Sequence, residues 1–511
     1  MTQFLIAEIA PLMFVALVVF LLLGYPVAFA LAANGLLFAF LGIELGLLTP
    51  ALLQALPERI FGIMRNETLL AIPFFTFMGL ILERSGMAED LLDTIGQLFG
   101  AVRGGLAYAV IFVGALLAAT TGVIAASVIS MGLISLPIML RYGYDRRLAS
   151  GVIAASGTLA QIIPPSLVLI VMADQLGRSV GDMYEGAILP GLVLTGLYAA
   201  YVFMVTLIRP SAAPALPLEA RGLRGWAMLH RVVVSLLPPL ALIFLVLGTI
   251  FLGIATPTEG GAMGALGAVV LAIARGKLNL GLLRQALDKT AKLSTFVMFI
   301  LIGATVFGLV FRGVYGDVWV EHLLTSLPGG QIGFLIVVNI LVFILAFFLD
   351  FFELAFIIVP LLAPVAQKLG IDLIWFGVLL GVNMQTSFMH PPFGFALFYL
   401  RSVAPKSDFV DRLTGRRTAG VTTGQIYWGA VPFVCIQVVM IAIVITFPDL
   451  VLHGEANRAP ADPAKIEINL PDVEAPPPPQ FGTGGQDSPA DGQQEESDPA
   501  GDIEKSLKGG K

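Results

Sequence analysis

Charged side chains are scarce in this chain. They make up 13% of its 511 residues, whereas hydrophobic side chains make up 57%. Soluble domains carry roughly 25% charged residues. Together with a mean hydropathy of +0.90, this composition excludes a soluble globular protein. It predicts an integral membrane protein that has the lipid bilayer as its surroundings and no nucleic acid as a partner.

Cysteine and catalytic motifs are also scarce. The one cysteine, Cys435, excludes an intrachain disulfide and a cysteine-based metal cluster, and we interpret it as a small core residue. The chain contains no P-loop, no pair of metal-binding histidines and no serine elbow. We therefore expect no enzymatic activity, no ATP-driven pumping and no cofactor.

Long apolar runs are what the chain does contain. They approach or exceed the roughly 20 residues that cross a bilayer as a helix, and the alternating pattern of barrel strands is absent. The sequence therefore predicts an all-α membrane protein. The run from 104 to 140 has no charged residue, but as one helix rising about 1.5 Å per residue it would far exceed a hydrocarbon core of roughly 30 Å. We expect it to form a re-entrant hairpin.

An internal repeat organises the chain. Two segments, 143–166 and 370–394, both begin with a Gly-x-Asp turn and lead through an apolar helix into polar residues and a double proline. They correspond at a constant offset of 227 (370 − 143, 391 − 164). Repeats that each contain a proline-interrupted apolar segment indicate a secondary transporter, with its site where two broken helices meet. The corresponding pairs are Gly143 and Gly370, Asp145 and Asp372, Pro164 and Pro391, and Pro165 and Pro392.

The repeat divides the chain into six predicted parts. They are N-terminal scaffold spans with an interfacial helix (1–65), a first repeat (66–208) with hairpin 104–140 and broken helix 148–173, a linker with scaffold helices (209–291), a second repeat (292–402) with hairpin 332–367 and broken helix 373–400, a loop and last span (403–447), and a disordered acidic tail rich in Pro and Gly (448–511).

Basic residues predict the orientation in the membrane. Arg and Lys are concentrated in the loops on the side from which the first hairpin is entered, and cytoplasmic loops carry the excess of these residues. The first hairpin is then cytoplasmic and the second lies on the outer side, so the two repeats are inverted relative to each other. Both termini, including the C-terminal tail, are predicted to lie outside.

The two breaks combine prolines with polar side chains. A proline in a membrane helix leaves carbonyls of the preceding turn unpaired, and such carbonyls are cation ligands. With nearby hydroxyl, amide and carboxylate oxygens they would form two sites for a hard monovalent ion such as Na⁺. The predicted sodium-binding residues are Thr120, Thr121 and Gly122 at the first hairpin tip, Ser156, Thr158 and Pro164 at the first break, Asp350 at the second tip, and Asn383, Gln385, Thr386 and Pro391 at the second break.

Four further residues are predicted to contact the substrate, namely Ser127, Gln161, Glu353 and Ser387. Other interpretations stay open, because Ser, Thr and Asn often only bond across packed helices. Asp350 and Glu353 would serve as an ion ligand or proton relay, or as charges at a wet hairpin tip. His390, with no second His or Cys nearby, is interpreted as a packing residue or a partner of the backbone and not as a metal ligand.

The assembled features resemble the large membrane subunit of the tripartite ATP-independent periplasmic (TRAP) transporters. The resemblance covers roughly 4–447 and is sharpest at LLAIPFFTFMG (69–79), RYGYDRRLASGVIAASGTLAQIIPPS (141–166), GIATPTEGGAMGA (253–265) and PPFG (391–394). It implies sodium-driven, elevator-type import of a small organic acid across the bacterial inner membrane. The implied partners are a periplasmic solute-binding protein and a small TRAP membrane subunit.

Two features depart from the family pattern. Many members have a Ser-Gly-Ser tip in the first hairpin, where this chain has Thr120-Thr121-Gly122-Val123. The acidic tail also extends beyond the usual end of the family. Within the stretch between the repeats, we interpret Thr256, Thr258 and Glu259 as helix-start residues, because a carboxylate suits the first turn of a helix.

Three functions compete for this sequence. The first is a sodium-coupled importer that depends on a binding protein, and the second is a stand-alone inverted-repeat symporter or antiporter of ions or dicarboxylates. The third is a structural or channel subunit. Broken helices argue against the third function, because a scaffold has no need for unpaired carbonyls at mid-membrane. The residues alone do not separate the first two.

Overall fold

The computed structural model describes residues 2–121, 124–222, 225–347, 349–411, 415 and 417–453, with the backbone alone at 2, 118–121 and 126. The described chain is almost entirely helical, which confirms the all-α prediction. Most of the predicted tail, from residue 454 onward, lies outside the described residues. Its first residues, Asp449–Leu452, form one helical turn.

The helices of the first half run from the N-terminus to the linker. They are α1 Thr2–Ala7, α2 Ile9–Leu22, α3 Val27–Glu44, α4 Ala51–Gln54, α5 Leu56–Met64, α6 Ala71–Arg84, α7 Met87–Leu98, α8 Gly105–Thr121, α9 Ile124–Arg141, α10 Arg146–Thr158, α11 Leu167–Leu176 and α12 Val180–Ile208. Short 3₁₀ turns occur at Leu159–Gln161, Pro210–Ala212 and Leu218–Ala220.

The second half of the chain is also mainly helical. Its helices are α13 Gly225–Phe251, α14 Pro257–Ala274, α15 Leu280–Gly313, α16 Gly316–Thr325, α17 Gly330–Leu345, α18 Phe351–Ile357, α19 Val359–Lys368, α20 Leu373–Gln385, α21 Phe395–Val403, α22 Thr423–Thr446 and α23 Asp449–Leu452. A 3₁₀ turn spans Thr386–Phe388, and two short antiparallel strands, β1 Phe409–Val410 and β2 Arg417–Thr418, pair between α21 and α22.

Several of these helices suit a membrane. Among the described residues, six helices are long and apolar enough to cross one, namely α3, α12, α13, α14, α15 and α22. Two bent pairs raise the number to eight if each counts as one span. The bend is 117° between α16 and α17, and 52° between α18 and α19.

The repeat is visible in the helix boundaries. Helix α10 and the 3₁₀ turn after it correspond, residue for residue, to α20 and its 3₁₀ turn at the same offset of 227 (373 − 146, 386 − 159). Asp145 and Asp372 cap the two helices, because each carboxylate accepts hydrogen bonds from two backbone amides of the first turn. Both double prolines contain a cis peptide bond.

The two broken helices lie at the centre of the molecule. Every residue of α10 from Leu148 onward and every residue of α20 is buried. Helix α10 packs against α8, α9 and α22, while α20 packs against α11, α17 and α22. Where α10 crosses α22 the backbones touch, since a Cβ on Gly151 would lie 2.1 Å from the carbonyl oxygen of Gly429.

Two expectations differ from the structure. Cys435 is exposed on α22 and is not a core residue, because it lies on the outward face of a helix whose buried face carries Phe433, Gln437 and Met440. The predicted boundary between 291 and 292 falls inside α15, which is continuous over 34 residues. No Pro or Gly interrupts the chain between Lys289 and Leu293, so the polar turn there continues the helix.

Candidate ion and substrate site

The first break separates α10 from α11. After α10 ends at Thr158, the chain makes a 3₁₀ turn, passes the double proline and restarts at Ser166, whose hydroxyl caps α11 by accepting from the amide of Leu169. Ser156 Oγ and Gln161 Oε1 are buried and have no hydrogen-bond partner among the described residues. Burying such an atom unpaired costs about 1–3 kcal/mol, so these oxygens are available to a ligand.

The second break repeats this arrangement between α20 and α21. Asn383 Oδ1, Gln385 Oε1 and Ser387 Oγ are buried without a partner in the described part of the chain. The amide nitrogen of Asn383 donates to the carbonyl and side-chain oxygens of Asn339, at 2.8 and 2.9 Å. The hydroxyl of Thr386 donates to the Asn383 carbonyl at 2.7 Å. Both breaks therefore contain buried oxygens that have no hydrogen-bond partner among the described residues.

The two breaks touch each other. Gln385 Nε2 donates to Thr158 Oγ1 at 3.1 Å, and these two residues are 227 positions apart, so they are equivalent in the repeat. Equivalent residues can bond to each other only near the axis that relates the two copies. Thr158 Oγ1 in turn donates to the carbonyl of Ala155 at 2.8 Å. The site therefore lies at the pseudo-symmetry axis, as inverted-repeat transporters lead one to expect.

A cavity of about 380 Å³ opens beside the breaks. Gln161 lines it from the first break, while Asp350 and Glu353 line it from the second hairpin. None of the described residues that line it is cationic. Its wall is largely aromatic and consists of Phe296, Phe351, Phe352, Phe388, Phe395 and Tyr399.

The two carboxylates of the cavity hold each other in place. Asp350 caps α18 by accepting from the amide of Glu353 at 3.0 Å, and Glu353 Oε2 accepts from the amide of Asp350 at 2.9 Å. This reciprocal capping box fixes both side chains at the start of the helix, where the helix dipole favours negative charge. Both residues of this capping box also line the cavity.

The remaining predicted site residues are placed as follows. Ser127 is buried on α9, and Pro164 and Pro391 form the cis bonds of the two breaks. The backbone of Thr120 and Thr121 forms the last turn of α8, whereas their side chains and all of Gly122 lie outside the described residues.

Asn339 is a residue of the site that the sequence reasoning missed. It lies on α17, bonds to Asn383 and is itself buried. A signal was present, because Asn339 is the one polar side chain in the apolar run FLIVVNILVFIL, and polar residues inside a membrane are a pointer to function. The aromatic wall had no such signal, since Phe is common throughout the chain.

Two packing interpretations are confirmed. The ring of His390 lies between Phe343 and Phe347, with ring centroids 4.2 Å away in both cases. Thr256 caps α14 in a capping box with Glu259, and Thr258 donates to the carbonyl of Glu67 at 2.6 Å. Thr256 and Glu259 are therefore helix-start residues, as predicted.

Comparison with known proteins identifies the family. The sequence model described as "Tripartite ATP-independent periplasmic transporter, DctM component" matches residues 14–450. The chain belongs to this family. It is 31% identical over 403 residues to the C4-dicarboxylate TRAP transporter large permease protein DctM of Pseudomonas aeruginosa, covering 79% of this chain and 89% of that one.

Other TRAP relatives are similar over most of their length. The sialic acid TRAP transporter large permease protein SiaM of Vibrio cholerae is 27% identical, over 84% of this chain and 94% of its own. Among solved structures, the Alcanivorax borkumensis YdaH transporter matches with a TM-score of 0.54 and 16% identity, covering 80% of this chain and 90% of that chain. This structural likeness concerns the fold alone. The chain is a TRAP large permease subunit, and the resemblance drawn from its motifs is confirmed.

Proposed function

We propose that this TRAP large permease subunit imports a small organic acid together with Na⁺ across the bacterial inner membrane. In this proposal a periplasmic binding protein delivers the acid, and a small TRAP membrane subunit completes the transporter. The observation that carries it is the pair of equivalent helix breaks, joined by the bond between Gln385 and Thr158, with unpartnered buried oxygens on both sides.

Charge in the cavity supports the coupling to sodium. An organic anion that enters would meet Asp350 and Glu353 and no cationic side chain from the described lining residues. Repulsion between like charges is strong where water is excluded. Sodium ions bound at the two breaks would offset this repulsion, so that acid and Na⁺ bind better together than separately. Oxygen ligands of the kind found at the breaks suit such a hard cation.

The helices pack in two groups, and this grouping suggests which part of the protein moves during transport. Helices α3, α6, α14 and α15 pack extensively on one another, while α10 packs mainly on α8, α9 and α22. We propose that the first group is the scaffold and that the broken helices and hairpins move against it as an elevator. In this arrangement the two hairpins are re-entrant and open the cavity alternately to the two sides.

The alternative is a stand-alone symporter or antiporter that needs no receptor. Reconstitution with the small subunit separates the two functions when uptake is measured with and without the binding protein. We expect uptake only with the loaded binding protein and an inward sodium gradient, because the receptor would supply differential binding to one conformation. Saturable uptake of free substrate without the receptor would establish the alternative, and equal uptake with choline in place of sodium would contradict sodium coupling.

A further inference from the structure

A second cavity lies where three helix ends meet, at the opposite end of α10 from the first break. Its volume is about 360 Å³, and it is bordered by the end of α12 at Ile208, the start of α10 at Arg146 and the first turns of α22, which begins at Thr423. Helices α12 and α22 are both long and apolar enough to span a membrane. Their shared end therefore lies at the level of the lipid headgroups, whichever side of the membrane it faces.

Two arginines give this groove its charge. Arg147 and Arg209 line it and are exposed. Neither side chain forms an ion pair or hydrogen bond with the described residues, in contrast to Arg141 nearby in the chain, which pairs with Asp411 at 2.7 Å. Asp145 also lines the groove, but its carboxylate already accepts from the amides of Arg147 and Leu148, at 2.8 and 3.1 Å. The groove thus presents two unpaired guanidinium groups and one carboxylate engaged in a helix cap.

The rest of the groove is largely apolar and exposed. Trp428 is 65% exposed and Ile208 is 71% exposed, and Val205 and Pro432 continue the same surface along α12 and α22. Tryptophan is typical of the membrane–water interface. The groove therefore has a positively charged end at headgroup level and an apolar surface beyond it. This arrangement is complementary to a phospholipid, which has a charged headgroup and apolar chains.

We propose that this groove binds an anionic phospholipid. Guanidinium groups bind phosphate oxygens through paired hydrogen bonds, and basic pockets between membrane helices are typical of anionic headgroup sites. The phosphodiester lies between Arg147 and Arg209, and one acyl chain follows Ile208 and Trp428. The proposal commits to a lipid over a soluble phosphate, because the exposed apolar wall would gain nothing from a small hydrophilic anion.

Fluorescence of Trp428 tests the proposal directly. The chain has four tryptophans, so the triple variant Trp226→Phe, Trp319→Phe, Trp375→Phe leaves Trp428 as the one emitter. Brominated phosphatidylglycerol should quench it several-fold more strongly than brominated phosphatidylcholine at the same mole fraction. Adding Arg147→Gln and Arg209→Gln should abolish this difference. Arg312→Gln is the matched control, because Arg312 is exposed on α15 and does not line the groove. Equal quenching by the two lipids overturns the proposal.

Native mass spectrometry of the protein with its own tryptophans gives a second measurement that does not depend on the Phe substitutions. The unsubstituted chain should retain phosphatidylglycerol over phosphatidylcholine, and Arg147→Gln with Arg209→Gln should lose that preference. Soluble glycerol phosphate and inorganic phosphate should not displace the lipid. Displacement by either one would show a plain phosphate site and overturn the assignment to lipid.

Discussion

Thr158 and Gln385 hold equivalent places in the two repeats and are joined by a hydrogen bond of 3.1 Å. A residue at a symmetry axis serves both halves of the site at once. Removing its side chain should therefore affect both breaks, whereas a residue at one break should affect that break alone. Thr158 at the axis and Thr386 at the second break are therefore both suitable residues for a test of the ion sites.

Thr158→Ala and Thr386→Ala should weaken the dependence of uptake on sodium. A site built mostly from carbonyls loses one hydroxyl ligand or its support, worth about 1 kcal/mol, so the half-saturating sodium concentration should rise about fivefold. Uptake is measured against sodium concentration in proteoliposomes with the receptor present. Thr446→Ala is the control, because Thr446 makes the same kind of bond, to Ala442, at an exposed helix end. Unchanged sodium dependence in both site variants would remove these residues from the ion sites.

Asp350→Asn separates the charge of Asp350 from its role as a helix cap. Asparagine caps a helix as well as aspartate does, so the thermal stability should stay close to that of the unsubstituted protein. Loss of the carboxylate should raise the half-saturating sodium concentration roughly tenfold or more, as for a charged ligand. Asp372→Asn removes an equivalent capping charge from α20, outside the cavity, and should leave sodium dependence unchanged. The same effect in both variants would count against an ion-binding role for Asp350.

At the residue scale, sequence reasoning found the polar side chains of the breaks but not their partners. The double prolines and the Ser, Thr, Asn and Gln beside them can be read from the sequence, because such residues are unusual in an apolar run. That Gln385 bonds to Thr158, or that Asn339 holds Asn383, depends on how distant helices meet. No local pattern specifies such a meeting, and the aromatic wall of the cavity is hidden in the same way.

At the scale of elements, the crossing of α10 and α22 is the tightest constraint on the site. A Cβ on Gly429 would lie 2.2 Å from the carbonyl oxygen of Arg147, which is backbone and cannot turn away. This close approach holds α10, and with it the first break, against the last membrane helix. It also forms the floor of the groove that contains Arg147 and Trp428.

Gly429→Ala should therefore destabilise the protein. Forcing the helices apart costs about 1–3 kcal/mol or more, which should lower the thermal unfolding midpoint in detergent and reduce uptake. Gly424→Ala on the same helix is the matched control, because a Cβ there would meet nothing within 4 Å. It should be neutral or slightly stabilising, since alanine favours helix over glycine. Equal unfolding midpoints for the two variants would contradict the close packing of α10 on α22.

Helix boundaries show how far elements can be predicted. The Gly-x-Asp turns and double prolines mark the ends of α10 and α20 closely, because Asp caps a helix and proline interrupts one. The polar turn near Lys289 contains no Pro or Gly that would end a helix. The spacing of its apolar residues fits two structures equally well, a short interfacial helix followed by a membrane span or one long helix. Helix α15 is the single long helix.

At the scale of the whole molecule, two properties of the sequence were enough for the fold class. Low charge and long apolar runs predicted a helical membrane protein, and a constant offset between two proline breaks predicted paired broken helices. The way α6 packs on α14 and α3 on α15 could not be predicted, because small and apolar residues cover many faces of these helices. Orientation in the membrane rests on the basic residues and is open to a direct test.

A cysteine at Ser488 in the tail, in a Cys435→Ser background, should react with an impermeant thiol reagent from the periplasmic side. The reason is that Arg and Lys are concentrated in the loops on the side of the first hairpin, and such loops stay in the cytoplasm. The tail follows the last span, and the same rule predicts that it lies on the opposite side. Ser211→Cys in the same background is the matched control, because Ser211 is exposed in the linker after α12, which the same rule places in the cytoplasm, so it should react only after the membrane is permeabilised. The reverse pattern, with Ser211→Cys labelled in intact cells and Ser488→Cys protected, would invert the whole orientation and with it the direction from which the cavity receives its substrate.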